Sequence, residues 1–273
     1  MIMKKIVLTL LVAVCAIGSA VAQKEKKYEK IVYKDSKTEN NELIITVDNA
    51  VGLEKETKFK LLITNKTNDY VLYKPEEGRF VINGKEMVPS EKWLLISPND
   101  NDYITINLKG GPFNSVTSYS FQLDGLYKVS SNAKGVEAPD FKLPVTKNDF
   151  TAGNFNCNLS KVSKETEKTS VKFSCTYTGD KIGFIFPSKA GVKMPDGNEY
   201  ANAKSKAKAK ASFLTKGKSD DFTLVWDRMQ GGKSMDMQFV EMFVKWNSTF
   251  VEVAPEKMQP QTLQFQIDET LSK

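Results

Sequence analysis

The clearest alternation of apolar and polar positions in this chain is Phe59-Lys60-Leu61-Leu62-Ile63-Thr64-Asn65, and it recurs at Val171-Lys172-Phe173-Ser174-Cys175-Thr176-Tyr177. Adding 112 to Phe59, Leu61, Ile63 and Asn65 gives Val171, Phe173, Cys175 and Tyr177, so apolar positions fall on apolar positions except at the outer end. A second alternating run precedes each: Leu43, Ile45 and Val47 before the first copy, Phe155, Cys157 and Leu159 before the second. A period of two marks half-buried strands, and two such runs around a polar turn mark a hairpin. The pattern therefore predicts that the chain is built twice.

The order continues to repeat. After the turn-rich Asn65-Lys66-Thr67-Asn68-Asp69, residues 70–73 and 79–82 read as strands, and Asn83-Gly84 is a tight hairpin signal. Residues 93–96, 103–108 and 119–123 follow as further strands. In the second half, Gly183-Phe184-Ile185-Phe186 answers Val71-Leu72-Tyr73, and Asp196-Gly197 answers Asn83-Gly84 at an offset of 113. Beyond it the offset becomes 118, with Leu95, Ile104, Ile106, Leu108 and Phe121 mapping to Phe213, Phe222, Leu224, Trp226 and Phe239. The step from 113 to 118 is an insertion of five residues within 201–211, where Lys and Ala alternate.

Six to eight short strands per copy, without a helical pattern, predict an all-β chain of two tandem antiparallel sandwiches. Related sequences, Val136-Glu137-Ala138-Pro139 and Val251-Glu252-Val253-Ala254-Pro255, end the two copies. Boundaries follow: a polar arm at 23–40, one domain at 41–146 and a second at 147–273. A strand ending in Thr-Asn-Lys-Thr, a second strand, an Asn-Gly or Asp-Gly hairpin, and an apolar strand before Pro-Asn-Asp or Lys-Gly-Lys resemble secreted bacterial immunoglobulin-like domains. The resemblance implies the fold and carries no functional residue across.

Lys4 and Lys5, the uncharged run 6–17 and Ala20-Val21-Ala22 predict a secretory signal at 1–22, cleaved before Gln23. Nothing after Gln23 reads as a membrane span, so the expected mature chain is exported to the periplasm, cell surface or exterior. An oxidising compartment permits Cys157 and Cys175 to bond. A turn centred on Thr166 sets Cys157 opposite Cys175, Leu159 opposite Phe173 and Phe155 opposite Tyr177. A disulfide there would contribute about 3 kcal/mol in the chain-entropy model; the alternative is a pair of buried thiols.

The chain has no histidine, which removes Ser-His-Asp and Cys-His catalysis and His-ligated metals. No glycine-rich phosphate loop is present, and no cofactor is implied. The expectation is a non-enzymatic protein. Net charge is +6, with only Arg79 and Arg228 among the cations able to make bidentate contacts, so specific nucleic-acid recognition is not expected. In Asn99-Asp100-Asn101-Asp102, Asp100 and Asp102 are calcium candidates, against a solvated turn. Lys204, Lys206, Lys208 and Lys210 form a cationic strip for an anionic glycan, or a charged guard on a sheet edge. Trp93 and Trp246 are candidate sugar-stacking rings. The functional expectation is a binding or assembly module for an envelope or extracellular protein, by sheet-edge pairing or end-loop contact. The alternative is glycan binding through the tryptophans and lysines.

Overall fold

The computed structural model describes residues 27–203, 211–228 and 237–273. They form an all-β molecule of antiparallel sheets, with short 3-10 turns at Pro75–Glu77 and Pro187–Lys189. Each copy opens on its predicted hairpin. Leu43–Gly52 pairs with Glu56–Asn65 and Phe155–Lys164 with Lys168–Tyr177, and all four boundaries of the second hairpin lie 112 residues after those of the first.

Register follows side-chain chemistry. Phe155 faces Tyr177, Cys157 faces Cys175 and Leu159 faces Phe173, after which a bulge between Leu159 and Lys161 shifts the pairing by one residue. The first hairpin has a bulge too, between Asp48 and Val51, one to two residues further along than the second hairpin's, which the offset of 112 would place between 47 and 49. Cys157 and Cys175 are joined in a disulfide with their Cα atoms 4.1 Å apart, where the first copy pairs Ile45 with Ile63. The close approach suits directly opposed residues at a non-hydrogen-bonded site.

The one-residue change of offset near the turn has a local cause. Asn83 and Gly84 both have positive φ and close a two-residue loop between Ile82 and Lys85. The second copy uses Pro195-Asp196-Gly197, a three-residue loop in which the Gly197 N–H donates to Met194 C=O and the Met194 N–H to Asn198 C=O. Proline presets the first turn position and glycine takes the left-handed one.

In the first unit the large sheet adds Asn101–Lys109 on one side and Ser36–Glu39 with Ile31–Val32 on the other. It packs through Phe59 against Phe80, Phe121 and Phe265 of a facing sheet, with ring centroids 4.8–5.9 Å apart. In the second unit Asp149–Ala152 and Ser219–Asp227 flank the hairpin, and Phe173 meets Phe141, Phe150, Phe222 and Trp246. The apolar cluster of the polar arm supplies a short edge strand: Ile31 and Tyr33 are buried because their alternation matches the sheet they join.

The boundary at 146/147 separates the copies in sequence but not in the sheets. Phe141–Leu143, which ends the first copy, pairs with Met242–Lys245 of the second unit. Gln261–Gln266, which ends the second copy, pairs with Ser118–Leu123 of the first through six residue pairs and buries Leu263 and Phe265 in the first core. The copies therefore exchange their last strands. Glu256–Lys257 also pairs with Leu126–Val129, and Gly135 bridges Val251, so the crossing segments are themselves hydrogen-bonded. Between the units lies a further apolar cluster of Leu72, Val129, Ile182, Phe184, Val251 and Val253.

The pairing also corrects the alignment near the end of the second copy. Phe121 pairs with Phe80, and Val244 with Val192, so Phe121 corresponds to Val244 and not to Phe239. The offset there is 244 minus 121, or 123, so a second insertion of five residues separates Trp226 from Met242.

Candidate interaction surface

Trp246, Trp93 and the Asp100/Asp102 pair, singled out from the sequence, occupy three separate places among the described residues. Trp246 is 4% exposed, stacks on Phe150 at 4.6 Å and donates its indole N–H to Pro139 C=O. A ring so enclosed has no face for a sugar, which overturns its reading as a stacking residue; it anchors the crossing segment instead. Trp93 is half-buried. Its indole N–H donates to Glu76 at 2.6 Å, and the Lys74 ammonium lies 4.6 Å from its ring and 4.4 Å from that of Tyr127. Its polar and aromatic capacity is spent within the molecule.

This Trp93 cluster continues into the exchanged tail. Tyr127 donates to the Glu77 carboxylate, and Lys257 from the second copy reaches Glu77 and Asp124 of the first. Burial, then the Glu77 carboxylate, pushes the Tyr127 phenol up to about 12. Burial would raise Asp124, but the Gly125 N–H and Lys257 outweigh it and hold the carboxyl below its ordinary value. The hydrogen bonds to Asp124 and Glu77 hold Lys257 above the ordinary ammonium range.

Asp100 and Asp102 serve the edge of the large sheet. The Asn65 N–H donates to Asp100 C=O, so even-numbered residues there face the neighbouring strand and odd-numbered amides face outwards. The Asp100 carboxylate accepts the Asn101 N–H and that of Asp102 accepts the Tyr103 N–H, each at 2.8 Å. A third outward amide, Asn107, donates to Glu91 Oε1 at 2.8 Å. Among the described residues no group of three or more Cys, Asp or Glu is arranged to hold a metal ion. The alternation that offered calcium its oxygens instead caps the amides of an edge strand. On the second unit's edge, Val225, at 107 plus 118, donates its outward N–H to buried Asn202 Oδ1. Lys204, Lys206, Lys208 and Lys210 lie outside the described residues.

Two other surfaces emerge only from the structure. A cleft of about 420 Å³ runs where 135–140 crosses the 245–248 turn, lined by Glu137, Asp140, Glu199 and Lys245 among others. Lys245 pairs with Asp140 inside it. Ser248 also lines it, and no group of three or more acidic or cysteine side chains among the described residues is arranged to hold a metal ion. At the end of the second unit, Phe239 is 76% exposed, and Val162 on the hairpin at the same end is 43% exposed. The hairpin and the loop meet there, since Met237 N–H donates to Thr166 C=O and Lys164 Nζ to Val240 C=O. Exposed aromatic surface on a loop set by a rigid sheet is suited to contact with another molecule. The sequence hid this residue because the offset of 118 assigned Phe239 to a core strand.

No protein-family model matches the sequence, and comparison with curated proteins gives no match. Among solved structures, the crystal structure of red sea bream transglutaminase overlaps at 6% identity and a TM-score of 0.18, covering 87% of this chain and 31% of that one. A similarity that low carries no argument about fold or function.

Proposed function

We propose that this chain is an exported, non-catalytic binding or assembly module of the bacterial envelope, made of two immunoglobulin-like sandwiches that contact a partner protein. Phe239 is the observation that carries the reading: it is the largest apolar side chain standing open among the described residues, at the end of the second unit beside Val162. The capped amides of Asn101, Tyr103 and Asn107 favour end loops over that long edge as the contact surface. Export is supported by the cross-strand disulfide, which persists in oxidising compartments. No helix among the described residues is long and apolar enough to cross a membrane.

Pull-down from envelope extract with the wild-type chain and with Phe239→Ser tests the reading. A band retained by the wild type and lost at least tenfold with the variant supports it. Equal retention removes this surface from the proposal. A glycan array run in parallel addresses anionic-glycan binding, which has lost Trp246 to the core.

A further inference from the structure

The molecule treats its long sheet edges unequally. Among the described residues, three strands of six residues or more border a sheet: Asn101–Lys109, Ser219–Asp227 and Gln261–Gln266. Open edges are templates for another strand, and natural chains blunt them. The first carries three amide caps, from Asp100, Asp102 and Glu91. The second carries the Asn202 cap and three aspartates, Asp220, Asp221 and Asp227.

The exchanged strand has neither device. The Ile267 N–H donates to Thr117 C=O, so odd-numbered residues face Ser118–Leu123; Gln266 C=O accepts the Lys34 N–H from the other side, so even-numbered residues point outwards. Gln266 is thus covered, whereas the outward N–H and C=O groups of Thr262 and Gln264 have no partner among the described residues. Their side chains are exposed, alternating with buried Leu263 and Phe265. From Met258 to Ile267 there is no charge.

We propose that this edge is a self-association site, at which the same strand of a second copy adds antiparallel across a twofold axis through Leu263. Thr262 then faces Gln264 of the partner copy, and the symmetry repeats the pair. Each pair exchanges two N–H···O=C bonds, so four bonds satisfy every outward group that the edge leaves open. A second copy is the favoured occupant because the segment is self-complementary in this register and brings no like charges together. The contact is small, so association belongs at protein concentrations on the order of 0.1 mM or above, the weak end of specific interfaces.

Sedimentation equilibrium on the full chain up to 1 mM, roughly tenfold above that onset, tests this. Gln264→Pro removes an outward N–H that the intramolecular ladder does not use. Gln264→Lys supplies a second arm that keeps the amide but sets like charges near one another across the axis. The expected result is a monomer–dimer equilibrium in the wild type, weakened at least tenfold in both variants, with unchanged circular dichroism and melting temperature in Gln264→Lys. A wild type monomeric throughout overturns the proposal. So does a dimer whose dissociation constant is the same in Gln264→Lys, which would place the contact elsewhere.

Discussion

The two copies share a strand plan and close the same end of it by opposite means. In the first, the loop after Asn101–Lys109 folds inwards, with Phe113 4% and Val116 7% exposed. The arm and tail then cover it: the Tyr33 hydroxyl donates to Val116 C=O, Tyr28 exchanges bonds with Asn114, and Lys273 pairs its backbone with Glu29 and Lys30. In the second copy the corresponding loop is longer and its Phe239 points to solvent. The covering parts of the first end, residues 28–35 and 267–273, belong to neither repeat. Surface is therefore decided by what lies outside the repeated pattern, even where the cores match position by position.

The sharpest way to break that comparison is to weaken the exchanged strand. Phe265 is 1% exposed, stacks on Tyr119 at 4.3 Å and meets Tyr33 and Phe59. Phe265→Ala should cost about 3–5 kcal/mol, the usual range for emptying an aromatic core site. Urea denaturation followed by calorimetry would measure it. A loss below about 1 kcal/mol would mean that the first core closes without the second copy's strand.

The disulfide is the next largest difference. Replacing Cys157 and Cys175 by valine should cost about 3 kcal/mol through the less constrained unfolded chain. The converse change, Ile45→Cys with Ile63→Cys, places thiols at the directly opposed pair of the first hairpin and should form a bond under air oxidation. Mass difference after thiol blocking reads both. If the engineered pair stays reduced, the two hairpins are less alike than their register indicates.

These outcomes bear on what the sequence could reveal. Strand alternation located both hairpins and placed Cys157 against Cys175, because one buried face specifies register strongly. The strand exchange was not legible: Phe121 and Val244 lie in equally apolar acceptor strands, so nothing local tells a terminal strand which one to join. The second insertion was hidden by a chance match of Phe121 with Phe239. Trp246 reads as a candidate stacking ring because no repeat position assigns it to the core, yet rings from Phe150, Phe173 and Phe250 enclose it. Asp100 and Asp102 were noticed as oxygen donors, but their outward amide partners become visible only once the edge is known.

Edge capping gives a smaller test. Asp102→Ala removes one cap at an exposed position and should cost no more than about 1 kcal/mol in the folded chain, the net value of a hydrogen bond. Its larger effect should be kinetic, as faster growth of light scattering on mild heating, because one more amide of a nine-residue edge becomes available. Asp227→Ala on the second unit's edge is the matched control, since among the described residues no edge amide donates to its carboxylate. Equal scattering in the two variants would remove the capping role.

The smallest effect concerns how the tail is held, and it differs between the units. The first holds Lys257 through Asp124 and Glu77, whereas the second uses the uncharged Asn154 against Glu252. Asp124 is held below its ordinary 3.8, so its contribution is present above that value and is lost as pH falls through the lower folded one. Lys257 is held above 10.5, so its contribution is complete below that value and lost as pH rises beyond it. Tyr127, raised to about 12, favours its neutral form and likewise loses its contribution between pH 10 and that value. The tail should therefore be held evenly from about pH 4 to 10, between the two ordinary values. Hydrogen exchange of the Lys257 and Met258 amides, relative to their intrinsic rates, should quicken below and above that window, and Lys257→Gln should reduce the change at both limits, leaving the parts due to the Gly125 N–H on Asp124 and to Tyr127. An unchanged acid limb in that variant would assign the loosening to carboxylates elsewhere in the molecule.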